Sequence, residues 1–188
     1  MITDILVNRT EGNISIHTMT DNDKAVYIAT VLEEDLIQPL AKVGAKTGVD
    51  VGEIFWQACC QMDGIMFVIV ENSSGNAIGY CEISEVSSPE PTLGVSISAP
   101  YRGKGYGYLA AKLMIEAGWE IFEHPYFVWE LDDDNEASRK LALKLGGTPL
   151  PNRCELSDIV KQVLLENDIE VNPEKYPDSV ERYKIERP

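Results

Sequence analysis

The 188 residues are 44% hydrophobic and 25% charged, the proportions of a soluble globular chain with enough length for one sizeable core. A formal charge of −15 argues against a nucleic-acid partner, because phosphate contacts need a basic surface. No apolar run approaches the roughly 20 residues of a membrane helix, and "MITDILVNRTEGNISIH" lacks the basic start and apolar stretch of a secretory signal, so the expectation is a cytoplasmic protein without a membrane partner.

In chain order, "NISIHTMT" (13–20) alternates as a strand does, and Thr20 to Asp23 supply helix-start residues. Residues 24–45 carry Ala25, Ile28, Leu32, Leu36 and Leu40 at three- and four-residue steps, which predicts a helix; a second short one is expected around 53–62. The runs "IMFVIVEN" (65–72) and "AIGYCEISEV" (77–86), joined by "SSGN", predict a hairpin, and "LGVSIS" (93–98) another strand. A glycine-punctuated turn and a helix from near Tyr106 to about Trp119 follow, with Leu109, Leu113, Met114 and Ala117 on one face. "YFVWEL" (126–131) reads as a strand and "DDDNEASRKLALKLGG" as a helix of about three turns, opened by acids and closed by a glycine pair. Beyond Pro151, "ELSDIVKQVLLEND" reads as helix and "ERYKIER" (181–187) as a last strand. Hairpin strands followed by strand–helix–strand–helix predict an α/β fold, a mixed and mostly antiparallel sheet flanked by helices.

Four cysteines, Cys59, Cys60, Cys81 and Cys154, show no disulfide spacing and read as reduced thiols, mostly core. Only His17 and His124 occur, far apart, so no metal site is expected. Trp56, Phe67, Trp119 and Trp129 read as core. Charge is unevenly spread: residues 1–88 hold 13 acids and 4 bases, a net of −9, whereas residues 89–154 hold 9 acids and 7 bases, a net of −2. The glycine turn thus lies in the least acidic part of the chain. Solubility accounts for such a charge, and so does attraction of a cationic ligand.

The turn itself, "APYRGKGYGYLA", places Gly103, Gly105 and Gly107 among Arg102 and Lys104 at the mouth of a helix. Bare backbone, helix-start amides and nearby cations are what an anion such as a phosphate requires. "GYGYLA" also fits a dinucleotide fingerprint, but the first glycine follows its strand too distantly and too few strand–helix units remain. No G-x-x-x-x-G-K-[ST] occurs. A tight turn without a ligand is the remaining alternative.

"LGVSISAPYRGKGYGYLAAKLM" resembles motif A of the GNAT N-acetyltransferase superfamily, R/Q-x-x-G-x-G/A, with Arg102, Gly105 and Gly107 at its defining positions. "DNEASRKLALKLGG" is similar to the second motif, N-x-x-[AS]-x-x-L followed by a glycine, matched by Asn135, Ser138, Leu141 and Gly146. Both occur in order, 28 residues separating Gly107 from Asn135, and the similarity spans about 77–147. "SISxxYRGKGYG" with "NEAS" leans toward the ribosomal-protein and protein N-terminal acetyltransferase branch. The resemblance implies one domain over 1–188, with an additional segment at about 152–180.

It further implies acetyl-CoA as co-substrate and an amine acceptor, from a small molecule or a peptide. The amides of Gly103, Lys104, Gly105, Tyr106 and Gly107 would hold the pyrophosphate, with charge from Arg102 and further contacts from Asn135 and Ser138. Two splayed strands, 93–98 and 126–131, would admit the pantetheine, and the N–H near Ile97 would polarise the thioester carbonyl. An ammonium acceptor must lose a proton, for which Glu130 and Glu82 are the candidate bases; a carboxylate at such a strand position is more often simply solvent-facing. Many members carry a tyrosine seven residues after the second-motif asparagine, where this chain has Ala142. Ser138 is then the candidate proton donor to the thiolate, or else a helix-start hydroxyl. Asp132, Asp133 and Asp134 suit a helix N-terminus. A non-catalytic member that binds acyl-CoA or a partner protein is the alternative that Ala142 keeps open, and a homodimer is compatible with either.

Overall fold

A computed structural model describes residues 1–2, 4–34, 37–153 and 180–188. The helix expected in "ELSDIVKQVLLEND" and Cys154 lie outside them. The described chain forms two compact units, residues 1–125 and 126–188.

The first unit is an antiparallel sheet in the order β1 (Asn8–Glu11), β2 (Ile14–Thr18), β3 (Gly64–Glu71), β4 (Asn76–Ser84) and β5 (Thr92–Ile97). β1 is a strand that the alternation at 13–20 did not predict. Its sequence, NRTE, is polar and half exposed, and the turn at Gly12 (φ 58°) pairs it with β2. The hairpin expected from "SSGN" is present, with Val70 opposite Ala77 and a bulge at Ile69/Val70.

The helix expected over 24–45 is two helices, α1 (Lys24–Val31) and α2 (Gln38–Thr47). Pro39 explains the break: it lacks an N–H and belongs in the first turn of a new helix, where it is found. α3 (Val51–Gln61) begins on Asp50, whose carboxylate accepts from Glu53 N–H at 3.0 Å, and α4 spans Tyr106–Ile121.

The pleat gives the sheet two faces. One carries Met66, Val68, Tyr80 and Glu82 and meets α1 and α3: the Tyr27 and Tyr80 rings lie 4.9 Å apart, and Cys59 Sγ is 2.8 Å from Met66 Sδ. The other carries Arg9, Glu11, Ile14 and Glu71 and meets α4, through ion pairs of Arg9 with Glu120 and of Lys112 with Glu11 and a bond from Tyr106 to Glu71. Ile14, Ile16, Ile65, Met66, Phe67, Ile69, Ile78 and Ile83 are fully buried between these layers. Trp56 and Phe67 are core as expected, and Cys59 and Cys81 are buried free thiols.

The second unit is an antiparallel sheet in which β8 (Val180–Glu186) pairs with both β6 (Tyr126–Asp132) and β7 (Thr148–Arg153), with α5 (Glu136–Lys144) in addition. β7 was not expected. Its sequence begins TPLP, and prolines argue against a strand except at a sheet edge, which is where β7 lies. Phe127, Val128 and Trp129 are buried. Among the described residues no helix is long and apolar enough to cross a membrane.

Candidate active site

The glycine turn starts where β5 ends. Ser98 N–H donates to Ile78 O at 2.9 Å, which ties the strand end to β4. Backbone N–H directions alternate along a strand, so the Ile97 N–H and C=O point away from β4. The Ile97 carbonyl accepts from Arg102 Nε at 2.6 Å, which folds the Arg102 side chain back along the strand end and leaves its guanidinium 4.0 Å from Glu33. Glu33 also accepts from Ala99 N–H at 2.7 Å.

Gly103 and Gly105 both adopt left-handed backbone, φ 76° and 80°, and Gly105 is the residue that opens α4. A Cβ at either position would meet nothing within 4 Å, so glycine is required there by the backbone conformation. Helix geometry leaves the first-turn N–H groups, those of Tyr106 and Gly107 among them, outside the intrahelical ladder, at the positive end of the helix dipole. Arg102 through Gly105 are exposed. The Lys104 ammonium lies 5.0 Å from the Tyr101 ring centroid and 5.7 Å from that of Tyr106. Tyr106 OH donates to Glu71 at 2.7 Å, and this bond, with another from Ser74 and the Lys104 charge, holds the Glu71 carboxyl below the usual carboxylate range. The turn is thus braced against β3 by Tyr106 while its backbone remains open.

Glu82 lies on the α1/α3 face of β4, with Tyr80 two residues before it. Its cross-strand partner is Gly94, and a Cβ at Gly94 would come within 2.9 Å of Glu82 Oε1. The missing side chain makes the space in which the carboxyl rests. Burial, reinforced by the charge of Glu34, pushes the Glu82 carboxyl up to about 7. Glu34 accepts at one oxygen from both Tyr80 OH (2.6 Å) and Ser96 OH (2.5 Å). Sequence reasoning passed over Glu34, which fell inside the helix expected over 24–45. The available signal was the pairing of alternate polar residues, Tyr80 and Ser96, on neighbouring strands.

Glu130 is differently placed. On β6 it faces Arg182 of β8, whose Nε donates to it at 3.0 Å. Ser138 Oγ accepts from the indole N–H of buried Trp129 at 2.8 Å, and Ser138 N–H donates to Asn135 Oδ1 at 3.0 Å. Asn135 therefore caps α5. With its acceptor side engaged by the indole, the Ser138 hydroxyl retains its proton for donation. Ala142 is fully buried, and Gly147 N–H donates to its carbonyl at 2.9 Å. Asp132 is pushed up by burial and by the neighbouring charges of Asp134 and Asp133.

A family model described as an acetyltransferase (GNAT) domain matches residues 13–148. The chain belongs to the GNAT acetyltransferase family. Among curated protein sequences none matches. Solved structures that share its fold include the ribosomal-protein-S5-alanine acetyltransferase of Vibrio fischeri, 13% identical with 95% of each chain covered and a TM-score of 0.62. An acetyltransferase of Agrobacterium tumefaciens is 17% identical, covering 100% of this chain and 98% of its own, with a TM-score of 0.65. A variant of the spermidine N-acetyltransferase of Vibrio cholerae is 13% identical over 93% of this chain and 94% of its own, TM-score 0.63. The fold is accordingly the mixed, mostly antiparallel α/β fold of these acetyltransferases.

Proposed function

We propose that this GNAT protein is an N-acetyltransferase that moves an acetyl group from acetyl-CoA directly onto a primary amine, with Glu82 as general base. The observation that carries the proposal is the Glu82 carboxyl. Burial beside Glu34 makes it basic enough to accept a proton near neutral pH, which an ordinary strand carboxylate is not. We assign the base to Glu82 rather than Glu130 because the Arg182 guanidinium already engages the Glu130 carboxylate.

In this reading the left-handed turn at Gly103 and Gly105, Lys104 and the first-turn amides of α4 take the pyrophosphate of the co-substrate, with Arg102 adding positive charge. Asn135, the cap of α5, and Ser138 supply further contacts of the kind the second motif implies. The Ile97 N–H, turned away from β4, polarises the thioester carbonyl and takes up the charge that develops on its oxygen. Glu82 removes the proton from the arriving ammonium, directly or through a water. The freed nitrogen lone pair forms the new C–N bond, and the C–S bond breaks as the tetrahedral centre collapses. Ser138, oriented by Trp129, protonates the departing thiolate and is reprotonated by the second proton that the acetylated nitrogen sheds as the amide forms. The buried thiols of Cys59 and Cys81 are pushed up by desolvation, which disfavours the thiolate that an acyl-enzyme route through either of them would need.

The acceptor class follows from charge. The residues up to 88 carry a net of −9, and Glu33, Glu34 and Glu82 cluster near the end of β5, so cationic amines are favoured. The related structures act on a protein alanine in one case and on spermidine in another, and both readings of the acceptor, peptide amine and polyamine, fit this charge. A single catalytic domain over 1–188, acting in the cytoplasm, belongs to the same reading. The test is thiol release from acetyl-CoA across a panel of amines and peptide N-termini. Turnover by cationic acceptors, falling as salt is raised, is expected; best rates with neutral or anionic acceptors would remove the charge argument.

A further inference from the structure

We infer that Glu34 is a positioning residue for Glu82: anchored over the neighbouring Tyr80–Ser96 pair, its carboxylate governs the protonation of the base and so the pH at which the enzyme becomes active. The inference rests on the assignment of Glu82 as base.

The geometry is a two-step ladder on one face of β4 and β5. Tyr80 is paired with Ser96, and Glu82, two residues on, is paired with Gly94. Same-face residues two apart along a strand are separated by roughly 6.8 Å. The hydroxyls of the first pair both donate to Glu34 Oε1, at 2.6 and 2.5 Å. The carboxyl of the second pair rests over the bare Cα of Gly94. Two short bonds therefore hold the Glu34 carboxylate at the rung next to the one that carries Glu82.

The other titratable groups facing Glu82 carry no charge in the neutral range. On α1, burial pushes Tyr27 well up, with the charges of Glu82 and Glu34 adding to it. On α3, burial pushes Cys59 up to about 12. On β4 itself, burial raises Tyr80 and Cys81 well above their ordinary values. Met66, opposite Glu82 on β3, has no titratable group. His17 lies two strands away from Tyr80 and turns to Asp23 at 3.4 Å. Glu34 is the charged group to which Glu82 responds.

The test is the acid limb of kcat/KM in wild type, Glu34→Gln, Glu82→Gln and Glu53→Gln. Glu34→Gln keeps an oxygen for Tyr80 and Ser96 and removes the charge. Its acid limb should move down by roughly one pH unit or less, because the Glu34 charge is the lesser of the two causes that raise Glu82 and burial, the larger, is unchanged. Glu53→Gln removes the same charge from exposed α3 surface and should leave the limb in place. Carbon-13 titration of the Glu82 carboxyl should show its inflection move down in Glu34→Gln as the acid limb does. A limb, or a Glu82 inflection, that stays put in Glu34→Gln overturns the inference while leaving Glu82 as base. A wild-type limb that survives in Glu82→Gln overturns the base assignment and this inference with it.

Discussion

Replacing Glu82 by Gln tests the buried carboxyl through stability, without turnover. Glu82 is raised from an ordinary 4.5 to about 7 by burial and the Glu34 charge, so the folded state holds a proton that the unfolded chain has already lost between these values. The sign follows. Below about 4.5 both states are protonated and the group has no effect. As pH rises toward 7 the folded state is progressively disfavoured, and above 7 the full difference, about 3 kcal/mol, opposes folding. Gln has no charge to bury and keeps the size of the side chain. Between pH 5 and pH 8 the stability of Glu82→Gln relative to wild type should therefore improve by about 2.5 kcal/mol. Urea unfolding of both proteins at the two pH values reads the difference directly, and contributions of groups that do not interact with Glu82 cancel between them. A relative stability that is flat between pH 5 and pH 8 would refute the claim that Glu82 is a desolvated acid.

Further outcomes follow from the turn and from α5. Gly105→Val forces a β-branched residue into left-handed backbone and should lose calorimetric binding of acetyl-CoA while the protein stays folded; unchanged affinity would remove the turn from the site. Ser138→Ala should lower kcat less than the 10²–10⁴-fold typical of acid–base residues, because a thiol with a pKa near 8.5 leaves readily, and wild-type kcat would reduce Ser138 to a structural hydroxyl. Ala142→Tyr introduces a ring at a fully buried alanine and should destabilise the protein by more than about 2 kcal/mol by thermal unfolding; a stable variant would show that room for the family's common tyrosine exists.

Much of this architecture is legible in the sequence, because alternation and glycine placement act locally. The strands from Gly64 to Ile97 and the helix beginning at Tyr106 appear where their patterns predicted. The misses are informative. Pro39 divides a continuous helical periodicity, since an apolar stripe does not reveal where a new helix must begin. β7 forms despite two prolines because its backbone is needed by β8 on one side only. Motif spacing pointed to the turn and to Ser138 as candidates, but it treated Glu82 and Glu130 alike. What distinguishes them is non-local: Arg182, some 50 residues away, engages one, whereas Glu34 and the bare Cα of Gly94 surround the other.

Direct acetyl transfer to an amine is read by mass spectrometry after incubation with carbonyl-labelled acetyl-CoA and a mixed panel of cationic amines. Label is expected in an amide product, with unmodified protein when the amine is omitted. A labelled adduct on Cys59, Cys60, Cys81 or Cys154 that an added amine removes would contradict direct transfer. Tight acetyl-CoA binding with no labelled amide from any amine would contradict catalysis and make the protein an acyl-CoA-binding member of its family.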